Sequence, residues 1–135
     1  MLNDLDDEAI DALVAIAGPG SGSPLVGAEL RHLGGALARS GEDHGAADTM
    51  PGHFALFAVG VPMTPEVGAA IVAHLPNVIG AMAKWDAGTA YLNLVGESVD
   101  PAKFYSAEDY ARLRRVKAEV DPTGVLRGNH VITAA

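Results

Sequence analysis

The chain has 135 residues, 49% of them apolar, a formal net charge of −8 and no cysteine. That length suits one domain with a hydrophobic core and is short for two. The absence of cysteine excludes disulfides, thiolate metal sites and a cysteine nucleophile, and the acidic balance argues against nucleic acid, which needs clustered Lys and Arg to displace counterions.

The start, MLNDLDDEAID, is acidic and lacks the basic and apolar regions of a secretion signal. No apolar run approaches the roughly 20 residues of a membrane span. A soluble cytoplasmic protein with neither membrane nor nucleic-acid partners is the expectation. Asp6 to Ala17 places Ile10, Leu13, Val14 and Ala17 at helical spacing, with acids in the first turn and Gly18-Pro19 as a stop. Residues 18–24, GPGSGSP, read as a flexible connector. They lack the Gly-Lys-Ser/Thr ending of a nucleotide-binding loop.

Leu25 to Leu33 alternates, with Val26, Ala28, Leu30 and His32 on one side and Glu29 and Arg31 on the other, as in a strand with one wet face. Gly34-Gly35 turns it, and Ser40 to Gly52 is a polar loop in which His44 stands beside acids. His53 to Val61 is a short, nearly continuous apolar run, which fits a buried strand. Thr64-Pro65-Glu66 then opens a helix as N-cap, first-turn proline and first-turn acid. Its stripe is Val67, Ile71, Leu75, Val78 and Met82, and Pro76 inside it predicts a kink or break near Val72 to Pro76.

Ala90 to Val95 has strand alternation, with Tyr91, Asn93 and Val95 on one face. Ser106 with Asp109 three residues on resembles a capping box and starts a helix that should turn Tyr110, Leu113, Val116 and Val120 inward. Asp121-Pro122-Thr123-Gly124 ends it, and an extended tail runs to Ile132. The expected architecture is α+β: one domain over 1–135, an antiparallel or mixed sheet of three or more strands, and helices packed on one face.

The chemistry-bearing candidates are few. On a strand, Tyr91 and Asn93 would present a phenol and a carboxamide side by side, able to orient a substrate, pass a proton or bond the edge of a planar ring. Asn129 and His130 interrupt an otherwise apolar tail. His32, His44, His53 and His74 have no metal-ligand spacing, so no metal is expected; His74 reads as a half-buried core histidine. Arg112, Arg114, Arg115 and Lys117 alternate with acids as on a solvated helix face, and no Gly-x-Ser-x-Gly elbow supports a serine hydrolase.

Taken together, Tyr91-x-Asn93, Tyr110-x-Arg112-Leu113-x-x-x-Lys117, Asp121-Pro122 and Asn129-His130-x-Ile132 resemble the C-terminal signature of the berberine-bridge-enzyme-like FAD-linked oxidoreductases. Residues 29–36, ELRHLGGA, resemble a strand of the same family's substrate domain. The resemblance implies the C-terminal part of that domain, without the flavin-binding domain that holds FAD. It implies hydride transfer from an alcohol, sugar or secondary metabolite to flavin. Tyr91 would be a catalytic residue, Asn93, Asn129 and His130 would face the cofactor, and Arg114 and Lys117 would hold the helix against the sheet and preceding acids. FAD would bind only with a separate flavin-binding domain or partner chain, so no activity is expected alone.

Three departures stand against this. Leu94 occupies the place where many relatives carry a second, base-acting tyrosine. No cysteine is present for a bicovalent flavin link. Met50-Pro51-Gly52-His53 is at best a degraded form of an aromatic-Pro-His-Arg element. A stand-alone, non-enzymatic α+β module that dimerises or binds a small ligand is therefore the other open reading, and a truncated remnant without function is a third.

Overall fold

The order of elements in the computed structural model is α1 (Asp7–Ala17), β1 (Gly27–His32), β2 (Phe54–Val59), α2 (Pro65–Ala81) and α3 (Ala107–Val120), with short 3-10 turns between them. The structure describes residues 1–42, 45 and 49–135. Asp43, His44 and Asp48, part of the expected polar loop, fall outside these. The contacts divide the chain into two compact units: Met1–Leu33 with Gly52–Ala87, and Gly34–Pro51 with Gly88–Ala135.

The first unit is a two-layer α/β arrangement. β1 and β2 pair antiparallel in the register Ala28↔Ala58, Leu30↔Leu56 and His32↔Phe54. Those pairs share one face, because side chains alternate along a strand. Ala28, Leu30, Phe54, Leu56 and Ala58 from that face pack on a core of Leu2, Ala9, Leu13, Val78, Met82 and Trp85. Both helices thus lie on one side of the sheet.

α1 is capped by Asp6, whose carboxylate accepts the Ala9 N–H at 2.8 Å, so one of the four unpaired first-turn donors is satisfied. Its buried positions are Ala9 and Leu13, while Ile10 (44%) and Val14 (53%) are exposed. The inward stripe is therefore turned by about one residue from the pattern expected of Ile10, Leu13, Val14 and Ala17. A small alanine at position 9 allows close approach to α2, which a count of large apolar residues does not register. Residues 18–24 carry their own hydrogen bonds: the Ser21 hydroxyl donates to Gly18 O at 2.7 Å, and Ser21 Oγ and Ser23 Oγ accept from the N–H groups of Ser23 and Leu25.

α2 starts where Thr64 accepts the Val67 N–H and Pro65 stands in the first turn. It buries Ile71, Val78 and then Met82. Of the kink or break expected near Val72 to Pro76, a break does not occur; the helix runs through to Ala81. Pro76 is exposed, so its ring meets no core neighbour and the carbonyl freed one turn earlier can take water. The antiparallel packing of the two helices is marked by His74 Nε2 at 3.1 Å from Ile16 O and by an ion pair of Lys84 with Glu8. His74 is the half-buried residue its position suggested.

The third strand is absent. Among the described residues the sheet has two strands, and the expected Ala90–Val95 strand is instead a 3-10 turn over Leu92–Leu94, closed by Leu94 N–H to Tyr91 O at 2.9 Å. Backbone bonds beyond β2 come from the first residues of the chain: Leu2 makes isolated antiparallel bridges to Phe54 and to Asp86. Gly52 makes this possible, since at φ +86° it adopts a left-handed turn, and a Cβ there would sit 3.0 Å from Leu2 O.

In the second unit α3 begins at Ser106, whose hydroxyl accepts the Asp109 N–H at 3.0 Å. None of its residues is fully buried. Tyr110 and Leu113 are half-buried, whereas Val116 and Val120 (68%) are exposed, contrary to the expectation that all four point inward. The buried anchor of this unit is Phe104, at the end of a turn started by Asp100, which accepts the Ala102 N–H. No helix among the described residues is long and apolar enough to cross a membrane.

Candidate functional site

All four candidate residues belong to the second unit. The turn at Leu92–Leu94 changes their relation. On a strand Tyr91 and Asn93 would share a face, but a 3-10 turn rotates each residue by about 120°, so residues two apart diverge. Tyr91 is half-buried and Asn93 exposed. The common face expected of them is lost.

His130 is the best-defined of the four. Its ring packs edge-on against Phe104, with centroids 4.7 Å apart and planes at 62°. Phe104 in turn meets Tyr105 edge-on at 6.4 Å, and Tyr105 lies nearly parallel to Tyr110 at 6.4 Å. The imidazole thus closes a row of aromatic rings joining the tail to the start of α3. Its Nδ1 is buried without a hydrogen-bond partner among the described residues. Such an atom is costly to leave unpaired, and a polar ligand atom or water would satisfy it. Asn129, next to it, is exposed. Among the described residues no hydrogen bond or ring contact joins Tyr91 or Asn93 to Asn129 or His130.

The path of the tail is set by Asp121, which the sequence marks only as the start of the turn that ends α3. Asp121 is buried; its carboxylate accepts the N–H of Val125 at 2.8 Å and of Leu126 at 2.9 Å, and is ion-paired with Lys117. These donors hold its carboxyl below the usual carboxylate range, the Lys117 ammonium most strongly and the two backbone N–H groups less, against the opposing effect of burial. Lys117 also donates to Leu126 O at 2.7 Å, and Arg114 donates to Thr133 O and Ala134 O at 3.3 and 3.0 Å. Arg114 and Lys117 therefore bind the tail that follows the helix, and not the preceding acids or the sheet. The signal available was the Asp-Pro-x-Gly turn, in which an Asp carboxylate commonly caps nearby backbone N–H groups.

A concavity of about 400 Å³ lies beside this turn, lined by Lys117, Asp121, Pro122, Gly124, Leu126, Arg127 and Val131 to Ala134. None of the four candidates lines it. Among the described residues no cluster of three or more His, Asp and Glu side chains could hold a metal ion.

The segment carrying these features, residues 90–133, matches the family model described as Berberine and berberine like. Over that stretch the chain is similar to berberine-like proteins. The match covers about a third of the chain and does not reach residues 29–36. No curated protein matches the chain.

Proposed function

We propose that the chain serves as the C-terminal substrate-domain portion of a FAD-linked oxidoreductase, inactive alone and completed by a flavin-binding domain or partner chain. The observation that carries this reading is the family match of residues 90–133 together with His130, held by Phe104 with an unpaired, buried Nδ1. An imidazole nitrogen and the neighbouring Asn129 carboxamide offer both donor and acceptor capacity to a polar cofactor edge. Asn93, exposed on its turn, offers a second carboxamide, and Tyr91 a phenol that can orient a substrate or hold a proton. When bound, FAD supplies the acceptor for a hydride from an alcohol, sugar or secondary-metabolite carbon, and the residues here position it.

The test is purification of the chain alone and with a flavin-domain chain of the same family. The chain alone should be colourless and should not quench added FAD fluorescence, whereas co-expression should give a yellow complex. His130→Ala should weaken flavin retention in that complex. A flavin partner that binds FAD and oxidises substrate equally well without this chain would refute the proposal.

A further inference from the structure

β1 is an edge strand. β2 occupies one side of it, and among the described residues its other side has no strand. The Leu33 N–H donates to His53 O at 2.8 Å, which makes Leu33 and His53 a hydrogen-bonded pair in the register that joins Gly27 to Val59. In an antiparallel ladder such pairs alternate, so Arg31, Glu29 and Gly27 direct their N–H and C=O groups to β2. Ala28, Leu30 and His32 direct theirs to the open edge. An open row of backbone donors and acceptors is a template for another strand.

Natural edges are often blunted by charged side chains, lysine above all, by proline or by a bulge, and an edge whose charges are of opposite sign can instead be matched by its own copy. Here the edge carries Glu29 and Arg31, on the face away from the helices, and both are largely exposed. Within the chain they pair with each other, Arg31 Nε donating to Glu29 Oε1 at 2.5 Å. Opposite charges two residues apart have a consequence under two-fold symmetry. If β1 meets β1 of a second copy antiparallel, with the axis through Leu30, Leu30 faces Leu30 of the second copy and Glu29 faces Arg31 of the second copy, twice over.

The hydrogen-bond parity agrees with this register. Leu30 with Leu30, and Ala28 with His32, become hydrogen-bonded pairs, built from the groups that are open in the single chain. Glu29 with Arg31 becomes a non-hydrogen-bonded pair, the type in which opposing Cα atoms approach to about 4.5 Å and side chains interact most closely. The axis stands perpendicular to the sheet, so the helices of both copies cover the same face of a continuous four-stranded sheet. A slip of one residue would place Glu29 opposite Leu30 or His32 and lose both ion pairs.

We infer that the open edge of β1 is a self-association surface, and that its partner is a second copy of this chain paired antiparallel through Leu30 with reciprocal Glu29 and Arg31 contacts. This goes beyond the flavin-linked reading and is independent of it, since it concerns the first unit and needs no cofactor. An isologous two-fold contact is the commonest symmetry of homo-oligomers, and here it closes the edge.

Sedimentation of the full chain over a concentration series tests it, together with amide exchange at Ala28, Leu30 and His32. A concentration-dependent dimer is expected, with slowed exchange at those three amides in the dimer. Glu29→Arg and Arg31→Glu each set like charges against each other across the axis and should raise the dimer dissociation constant by roughly tenfold. The double variant Glu29→Arg/Arg31→Glu restores the complementarity and should return it to within about twofold of the original. A chain that stays monomeric at every concentration, or a dimer indifferent to the single charge reversals, would overturn the inference. So would amides at Ala28 and Leu30 that exchange equally fast at low and high concentration.

Discussion

Lys117 and Asp121, one helical turn apart on α3 and its cap, grip the same downstream residue from both sides. Asp121 accepts the Leu126 N–H at 2.9 Å and Lys117 donates to the Leu126 carbonyl at 2.7 Å, while the two side chains are ion-paired with each other. The chain reverses after α3 because three polar groups are satisfied at once. His130 follows four residues later, so its seat against Phe104 depends on that reversal.

Replacing Asp121 by Ala removes the acceptor for two backbone N–H groups and leaves the half-buried Lys117 without its counter-charge. Amide exchange at Val125 and Leu126 should accelerate by about tenfold or more, and the melting temperature should fall. Asp121→Asn keeps one acceptor oxygen and should show a smaller effect at the same amides. If the tail is held by other contacts, the two amides will exchange as in the original chain.

Acid should destabilise the protein within a definite window. Asp6, Glu29, Glu66 and Asp121 all have carboxyl groups below their usual range, caused respectively by the Ala9 N–H, the Arg31 guanidinium, the Thr64 hydroxyl and the Lys117 ammonium as the leading influence. A depressed carboxyl contributes stability that is complete above its unfolded value and is lost as pH falls through its folded value. The melting temperature should therefore hold between about pH 8 and 5 as far as these groups are concerned, and decline below about pH 4.5. Asp6→Asn preserves an N-cap acceptor but cannot titrate, so its melting temperature should fall less steeply between about pH 4 and 2. A parallel decline in the two proteins would remove Asp6 from the account.

Much of the secondary structure was legible because its signals are local. The Thr64 and Ser106 caps, Pro65 in the first turn of α2 and the alternation around Leu30 each decide structure through neighbours within a few residues. The errors arose where tertiary contact decides. Ala90 to Val95 has the alternation of a strand, but alternation becomes a strand only with a ladder partner, and the Leu94 N–H turns back to Tyr91 O instead. Val116 and Val120 have helical spacing, yet α3 has no buried residue, so the same spacing fits an exposed stripe as well as an inward one. Of the candidate site, the Asn129-His130 pair was visible as polar residues in an apolar tail. Its anchor on Phe104, which stands before α3 and is tied to His130 by no motif spacing, was not.

The shift in the buried face of α1 can be measured directly. Leu13 is buried and Ile10 is 44% exposed, although simple periodicity treats them alike. Leu13→Ala should cost about 2–5 kcal/mol, in the range of core truncations, whereas Ile10→Ala should cost less than about 1 kcal/mol. Chemical denaturation of both variants separates the two cases, and equal losses would place Ile10 in the core as well.

Gly60, the residue after β2, and Ile71 show how closely the end of that strand and α2 approach. A Cβ on Gly60 would fall 2.6 Å from both Cδ1 and Cγ1 of Ile71 and 2.9 Å from its Cγ2, so the clash involves the stiff, branched part of the side chain as well as its tip. Ile71 is buried and has little freedom to withdraw. Gly60→Ala should destabilise by about 1–3 kcal/mol through overpacking, and Ile71→Ala by about 2–5 kcal/mol through the cavity it leaves. Each substitution relieves the defect made by the other, because the added methyl enters space that the truncated side chain has vacated. The double variant should therefore lose less than the sum of the single losses, with a coupling of about 1 kcal/mol or more in a double-mutant cycle. Strict additivity would mean that the strand and helix separate to admit the methyl, and that the contact between Gly60 and Ile71 does not set their spacing.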